Sequence, residues 1–335
     1  MTSIRGAITA GENTCNSILE ATKALLLEVI EANGLSISQI IDITFSATKD
    51  LNAVYPAVAA RDMGIVEAGL ICVQEMDVPG SLPMCIRVLL HAECGKTQPE
   101  MMHVFLRGAK ILRPELANKT VAIDGPSGAG KSTVARLVAE YAGIMYVDTG
   151  AMYRAVAFHN IRLGNDLKDQ SIVEDSLKDI TIDIQYDSKK QQLLILNDED
   201  VTDDLRTQNV AEGAAIVAAY PTVREKLVYM QRALARKNSV VMDGRDIGTN
   251  VLPDADVKIY LSASLEERVR RRMGELQKKG EPAEYEEIKK EIEERDFRDK
   301  NRDISPLVKA DDSIFIESDN VKAEDIAQLI LKEMG

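Results

Sequence analysis

The chain has 335 residues, is 45% hydrophobic and 28% charged, and carries a formal net charge of −13. That length suits two or three globular domains, and an acidic balance without a basic block argues against a nucleic-acid polymer or an anionic membrane as partner. No apolar run reaches a membrane span, the N-terminus lacks a secretory stretch, and the 4 cysteines fall in no C-x-x-C spacing, so the expectation is a cytoplasmic chain with reduced thiols.

In chain order, residues 4–9 read as a short strand and residues 14–33 as a helix, with Ile18, Thr22, Leu25, Leu26, Val29 and Ile30 on one face and Gly34 just beyond it. Residues 40–45 form a strand, and Pro56 opens a short helix through Met63. Residues 69–73 and 84–92 are strands parted by a Pro/Gly turn, and a last strand is expected to end at Leu112. This is an α+β or α/β domain of ordinary size. Pro114 and the short polar stretch after it mark a seam with almost no linker, dividing the chain into 1–117 and 118–335. Through residue 118 there are 9 basic and 13 acidic residues, and beyond it 32 and 41, so neither part is basic.

The second part reads as a wound α/β domain. Residues 120–124, 144–148, 240–243, 257–262 and 313–318 are short apolar runs suited to a buried parallel sheet. Residues 181–196 interrupt them as a β-hairpin insertion, and residues 264–296 are charged and helical. After the first strand stands Gly125-Pro126-Ser127-Gly128-Ala129-Gly130-Lys131-Ser132-Thr133, which matches G-x-x-x-x-G-K-[ST] and opens a helix. Glycines let backbone N–H groups wrap phosphate oxygens, Lys131 reaches the terminal phosphates, and Ser132 can ligate Mg²⁺ carried with the nucleotide. A phosphate loop alone leaves kinase, ATPase and GTPase open. Two further motifs, DTGAMYR at 148–154 and DGRD at 243–246, stand at strand ends, where open α/β sheets bind ligands. Arg268, Arg270, Arg271 and Arg272, then ERDFRDKNR at 294–302, add the cations that a phosphoryl group in transit needs.

These stretches, with RTQNVAEGAA, VREKL and PDADVKIYLSAS, closely resemble cytidylate kinase, a P-loop nucleoside monophosphate kinase, over essentially all of 119–335. The resemblance implies transfer of the ATP γ-phosphoryl group to CMP or dCMP with Mg²⁺. It assigns Thr149, Tyr153, Arg154, Arg224, Arg245, Asp246, Arg295, Asp299 and Arg302 to the CMP site. It assigns Arg268, Arg271 and Arg272 to a lid over ATP, and the hairpin to a monophosphate-binding insert. Where relatives can carry a serine that contacts the base, this chain has Ala215.

The first part contains no nucleophile–base pair, metal spacing or phosphate loop. Its informative residue is Arg87, a cation inside the apolar strand MCIRVLLHA, where it needs a partner or an anionic ligand. Glu75 and Cys72 on the preceding strand are candidate partners. The stretches IRGA, SATKDLNAVYPAVAAR, CVQEMDV, CIRV and HVFLRGAKILRPEL closely resemble the chorismate mutases that form a trimeric pseudo-α/β-barrel. The resemblance implies clefts shared between subunits, with Arg5, Cys72, Glu75 and Arg87 as the catalytic set, joined by Tyr55, Arg61, Phe105 and Arg113 around chorismate. The rearrangement to prephenate is concerted and needs neither a base nor a cofactor. An arginine pocket suits a substrate with two carboxylates, and Arg87 can stabilise charge on the breaking ether oxygen. Val58 stands where relatives can have lysine, and Phe105 where a tyrosine is usual.

The reading is a bifunctional fusion, mutase before kinase, assembled as a homotrimer or a multiple of it. Two alternatives stay open on the residues alone: a non-catalytic oligomerisation or effector-binding module in front of a kinase, and a kinase that phosphorylates shikimate.

Overall fold

Alternation of side chains along the first strands gives a sheet with one face for a core and another left over. The computed structural model describes residues 1–114, 118–187, 192–280 and 282–334. Part of the expected seam (115–117) and of the hairpin (188–191) lies outside the described residues. The chain divides into two units, Met1–Ala117 and Asn118–Gly335.

In the first unit, β1 (Thr2–Thr9), α1 (Cys15–Asn33), β2 (Ile40–Ala47), α2 (Ala57–Asp62), β3 (Gly69–Gln74), β4 (Cys85–Ala92) and β5 (Val104–Leu106) build one mixed sheet in the order β3-β2-β4-β1-β5. Ile4, Ile8, Ile43, Phe45, Ile86 and Leu90 share one buried core with Ile18, Leu25, Leu26 and Val29 of α1. Thr14 caps α1 by accepting the Ser17 amide, and Gly34 ends it in the left-handed region. Gly6 lets α1 lie directly on β1: a Cβ there would stand 2.9 Å from Val88 Cγ2 and 3.0 Å from Leu25 Cδ1.

Strand alternation sends Arg5, Thr44, Ser46, Ile71, Val73, Arg87 and Leu89 to the opposite face. Ile71 is 56% and Val73 45% exposed there. The strand expected to run to Leu112 stops at Leu106, and residues Arg107–Leu112 wind into a 3₁₀ turn. Arg107 adopts φ +50, which no strand accommodates, and Gly108 then donates to Thr9 Oγ1 at 3.1 Å. The turn buries Ala109 against Ala7 and Cys85.

The second unit is built on β6 (Thr120–Asp124), β7 (Met145–Asp148), β11 (Val240–Gly244), β12 (Val257–Ser262) and β13 (Ile314–Glu317). They form an all-parallel sheet in the order β13-β12-β6-β11-β7. Val121 and Ile123 pack with α3 (Lys131–Ala142) and α10 (Ala323–Glu333) on one side. Ala122 and Met242 pack with α4 (Thr149–Arg162) and α7 (Pro221–Lys237) on the other. Burial on both faces is why these strands read as unbroken apolar runs.

The insertion holds α5 (Gln170–Ser176), the antiparallel strands β8 (Ile182–Tyr186) and β9 (Gln192–Leu196), the short β10 (Glu199–Asp200) and α6 (Gln208–Val217). The charged stretch from 264 resolves into two helices, α8 (Leu265–Lys279) and α9 (Tyr285–Asn301). Gly280 at φ +73 ends α8. Val269, Leu276, Ile288 and Ile292 give the pair a small core of its own.

Gly6→Val is expected to overpack the contact between α1 and β1 and to cost about 1–3 kcal/mol. Hydrogen exchange across a urea series should show a lower unfolding midpoint for peptides of the first unit alone. An unchanged midpoint there would mean that α1 moves aside without cost.

Candidate active sites

Parallel register sets three carboxylates side by side at the strand ends of the second unit: Gly244 lies opposite Asp124, and Asp243 opposite Asp148. Between β6 and α3 the chain bends so tightly that Gly125 adopts φ +149, and a Cβ there would stand 1.9 Å from the Leu261 carbonyl oxygen. Lys131 is buried and donates to the Pro126 carbonyl at 2.7 Å. Burial, then the Arg245 charge, lowers its pKa well below the usual lysine value. Ser132 Oγ donates to Asp243 Oδ2 at 2.8 Å, and the Tyr146 hydroxyl donates to Oδ1 at 2.9 Å. Burial, then Asp148, raises the Asp243 carboxyl.

A cavity of about 350 Å³ opens beside this loop. All nine residues assigned to the acceptor by resemblance line it: Thr149, Tyr153, Arg154, Arg224, Arg245, Asp246, Arg295, Asp299 and Arg302. Carboxylates hold most of its arginines. Arg154 pairs with Asp148 at 2.8 Å, Arg245 with Asp299 at 2.6 Å, and both Arg224 and Arg302 with Asp246. Arg224 is buried, its Nε has no partner among the described residues, and its guanidinium lies 5.7 Å from the Tyr153 ring centre. Burial pushes the Tyr153 hydroxyl up to about 12. Burial alone would raise Asp299, but the charge and hydrogen bond of Arg245, with the charges of Arg295 and Arg302, together lower the carboxyl. Arg295 makes no ion pair or hydrogen bond with any described residue, and burial, then Arg245, pushes it down to about 10. Ala211, Ala214, Ala215 and Ala218 form an apolar wall.

The lid arginines take different directions. Arg268 Nη1 donates to the Ser127 carbonyl at 3.3 Å, and Arg271 Nη1 to the Ala129 carbonyl at 3.1 Å. Arg272 instead pairs with Glu275 at 3.4 Å. Arg270 is likewise held by Glu267 away from the loop. The remaining loop residues, Pro126, Gly128, Gly130 and Thr133, lie in the turn itself or the first turn of α3. Sequence reasoning missed Asp124, which accepts from the amides of Ile247 and Gly248 at 2.8 and 2.7 Å and fixes the π-helical turn that follows Asp246.

In the first unit, Arg87 lies 3.6 Å from Glu75, and its buried Nε has no partner among the described residues. Ser46, opposite Arg87 in the register, donates to Glu75 at 2.6 Å and fixes the carboxylate. Arg5 and Phe105 lie on the same face, reached through the pairings of Leu89 and Ala7. Burial, then the charges of Arg5 and Arg113, holds the His103 imidazole below its usual value, and His103 Nδ1 accepts from the Arg5 amide at 3.1 Å.

Cys72 departs from the expected set. It pairs with buried Phe45 and packs against the core, so its sulfur points away from Arg87. Tyr55 and Arg61 also stand apart: both are exposed on or beside α2, and Tyr55 and Cys72 line a separate cavity of about 640 Å³ at the β3 edge. Within one chain, the residues assigned to chorismate by resemblance therefore do not gather in one place.

Residues 121–335 match the family model for cytidylate kinase, and residues 1–116 match the model for chorismate mutase type I. The chain is 46% identical over 212 residues to a cytidylate kinase of Bacillus licheniformis, a match that covers 63% of this chain and 94% of that protein. It is 47% identical over 212 residues to a cytidylate kinase of Geobacillus thermodenitrificans, with the same two coverages of 63% and 94%. A solved structure, a chorismate mutase from Clostridium thermocellum, is 49% identical, covering 32% of this chain and 97% of that one at a TM-score of 0.32.

Burial raises the Asp124 carboxyl from its ordinary 3.8 to about 6. The folded state thus binds this proton more tightly than the unfolded chain, and the stability it contributes falls as pH climbs through that window. Asp124→Asn should gain on the native chain by up to about 3 kcal/mol between pH 4 and 7, read from urea unfolding at several pH values. Its amide cannot accept from both backbone N–H groups, so phosphoryl transfer at pH 7 should fall. A stability difference that does not change with pH would refute this account of Asp124.

Proposed function

Because the chain belongs to the cytidylate kinase family over residues 121–335 and to the type I chorismate mutases over residues 1–116, and is a bifunctional mutase and kinase, we propose the following division of labour. Residues 118–335 bind ATP and CMP or dCMP, and residues 1–117 bind chorismate. Neither reaction involves a nucleic-acid polymer or a membrane, no described helix is long and apolar enough to cross one, and we infer a cytoplasmic enzyme.

The observation that carries the kinase assignment is the pair Lys131 and Arg295, the two pocket-lining cations with no carboxylate of the described residues bound to them. A triphosphate on the loop amides gives Lys131 its counter-charge, and a monophosphate in the cavity does the same for Arg295 beside Arg154. The acceptor's phosphate oxygen is already nucleophilic, so positioning and charge stabilisation dominate and no base is needed. Arg224, Arg302 and Asp246 face the base and sugar, and the open Arg224 Nε donates to an acceptor atom there. The hard oxygen pair of Ser132 and Asp243 fits Mg²⁺, which with ATP supplies positive charge to the phosphates. The lid pair α8 and α9 excludes water, whose attack would hydrolyse ATP.

For the mutase, the carrying observation is Arg87, whose Nε is open and whose ion pair with Glu75 is long at 3.6 Å. Chorismate's breaking ether oxygen gains charge in the transition state, and a guanidinium held ready for it needs no rearrangement. Glu75 accepts the substrate hydroxyl, and Arg5 and Arg113 hold carboxylates. Tyr55 and Arg61 of a second copy complete the cleft, which supports a closed ring of three. Cys72 contributes through its backbone, since its sulfur faces the core.

Lys131→Ala should abolish phosphorylation of CMP and leave chorismate turnover in place, as both assays on one preparation would show. Arg87→Ala should do the reverse, with a fall in kcat of at least about 10²–10³ and a near-normal melting temperature. A kcat within threefold of the native enzyme (about 0.7 kcal/mol) would sink the assignment. Cys72→Ala should leave kcat much closer to native than Arg87→Ala does.

A further inference from the structure

The helix α9 carries two adjacent side chains that serve different ligands. Arg295 lines the acceptor cavity, and one residue on, Asp296 turns toward α8 and pairs with Arg268 at 2.7 Å. That pair is nearly dry, with side-chain exposures of 7% for Arg268 and 14% for Asp296. Arg268 has no freedom left: its Nε donates to the Ala263 carbonyl at 3.1 Å, and its Nη1 donates to the Ser127 carbonyl of the phosphate loop at 3.3 Å. The base of its side chain also abuts the loop, since a Cβ on Gly128 would stand 3.1 Å from Arg268 Cβ. Farther along α9, Asp299 grips Arg245, and Arg302, which caps the helix, grips Asp246.

We propose that Asp296 is a positioning residue that couples the two nucleotide sites: through Arg268 it transmits the seating of a nucleoside monophosphate on α9 to the loop that holds the nucleoside triphosphate. The proposal rests on the kinase reading above. A ligand phosphate drawn to Arg295 fixes α9, and Asp296 can then follow only by carrying Arg268 and Ser127 with it. The connection is short, buried and charged, so a small displacement at one end cannot be absorbed by solvent. By linkage the effect runs both ways, each ligand raising affinity for the other by the same factor. The second oxygen of Asp296 has no partner among the described residues. Its carboxylate is therefore held by Arg268 alone, and neutralising it removes the connection rather than one strand of a larger network.

The test is titration calorimetry with a non-hydrolysable ATP analogue, with and without saturating CMP, on the full chain. In the native enzyme CMP should tighten the analogue by at least about fivefold. In Asp296→Asn the ratio should fall below about twofold, which is under about 0.4 kcal/mol of coupling. A structural defect that weakens both ligands alike does not move that ratio. Arg268→Lys keeps a cation opposite Asp296 but cannot span to Ser127, and should lose the ratio as well. Should neither variant fold, hydrogen exchange on the native chain decides: CMP alone should slow exchange in a peptide spanning 125–132. A native ratio near one, an unchanged ratio in Asp296→Asn, or no slowing of that peptide overturns the proposal. Turnover of CMP by the same native preparation separates this from failure of the kinase reading, which would show no turnover at all.

Discussion

A cluster of like charges cannot be held together in a half-dry cavity unless each has something to hold it. Both units face this problem and solve most of it with carboxylates that the fold sets beside the cations. In the second unit Asp148, Asp246 and Asp299 fix Arg154, Arg224, Arg245 and Arg302, and Asp243 sits among them already burdened by burial. The arrangement leaves Lys131 and Arg295 short of negative charge. In the first unit Ser46 steadies Glu75, which in turn faces Arg87 at a distance that leaves the guanidinium partly unspent. Desolvation makes such unmatched cations costly, and an anionic ligand lowers that cost. Selectivity for anions thus follows from how the fold is balanced when empty.

What could be read beforehand depended on whether the partners are close in the chain. The phosphate loop was legible because its glycines, lysine and serine act within eight consecutive residues between a strand and a helix. The strands of the parallel sheet were legible because burial on both faces leaves an apolar run, and the helix α1 because its buried positions recur with helical period. Asp124 was not: its partners lie 123 and 124 residues away, and nothing in a strand-terminal aspartate announces them. Asp296 was hidden for the same reason among the charges of α9. The direction of Cys72 was also illegible, because it depends on register with Phe45 across two strands rather than on neighbours in sequence. The overlong last strand of the first unit failed on a single left-handed residue, Arg107, which no composition rule flags.

The open sheet face of the first unit mixes Arg5 and Arg87 with exposed Ile71, Val73 and Leu89. A purely solvated face would replace the aliphatics with polar side chains, and a purely structural interface would avoid the unspent guanidinium. Apolar and cationic groups on one face fit the shared cleft proposed above, in which a second copy would cover part of the surface. Arg87 with Glu75 on this face and Tyr55 with Cys72 at the β3 edge are the two groups that the proposal joins.

The order of strands in the second sheet also bears on synthesis of the chain. All five strands of the first unit lie before residue 107, so that sheet can close while the rest is still being made. The central strand of the second, β6, emerges next, but its neighbours β11 and β12 begin only at Val240 and Val257. For more than a hundred residues of translation, the fully buried central strand of the second unit has no native pairing partner on either side. Contacts of such long sequence separation form late, and an unpaired apolar strand is exposed to aggregation while it waits. A finished domain upstream cannot shorten that interval, so the second unit carries most of the chain's dependence on slow, protected folding.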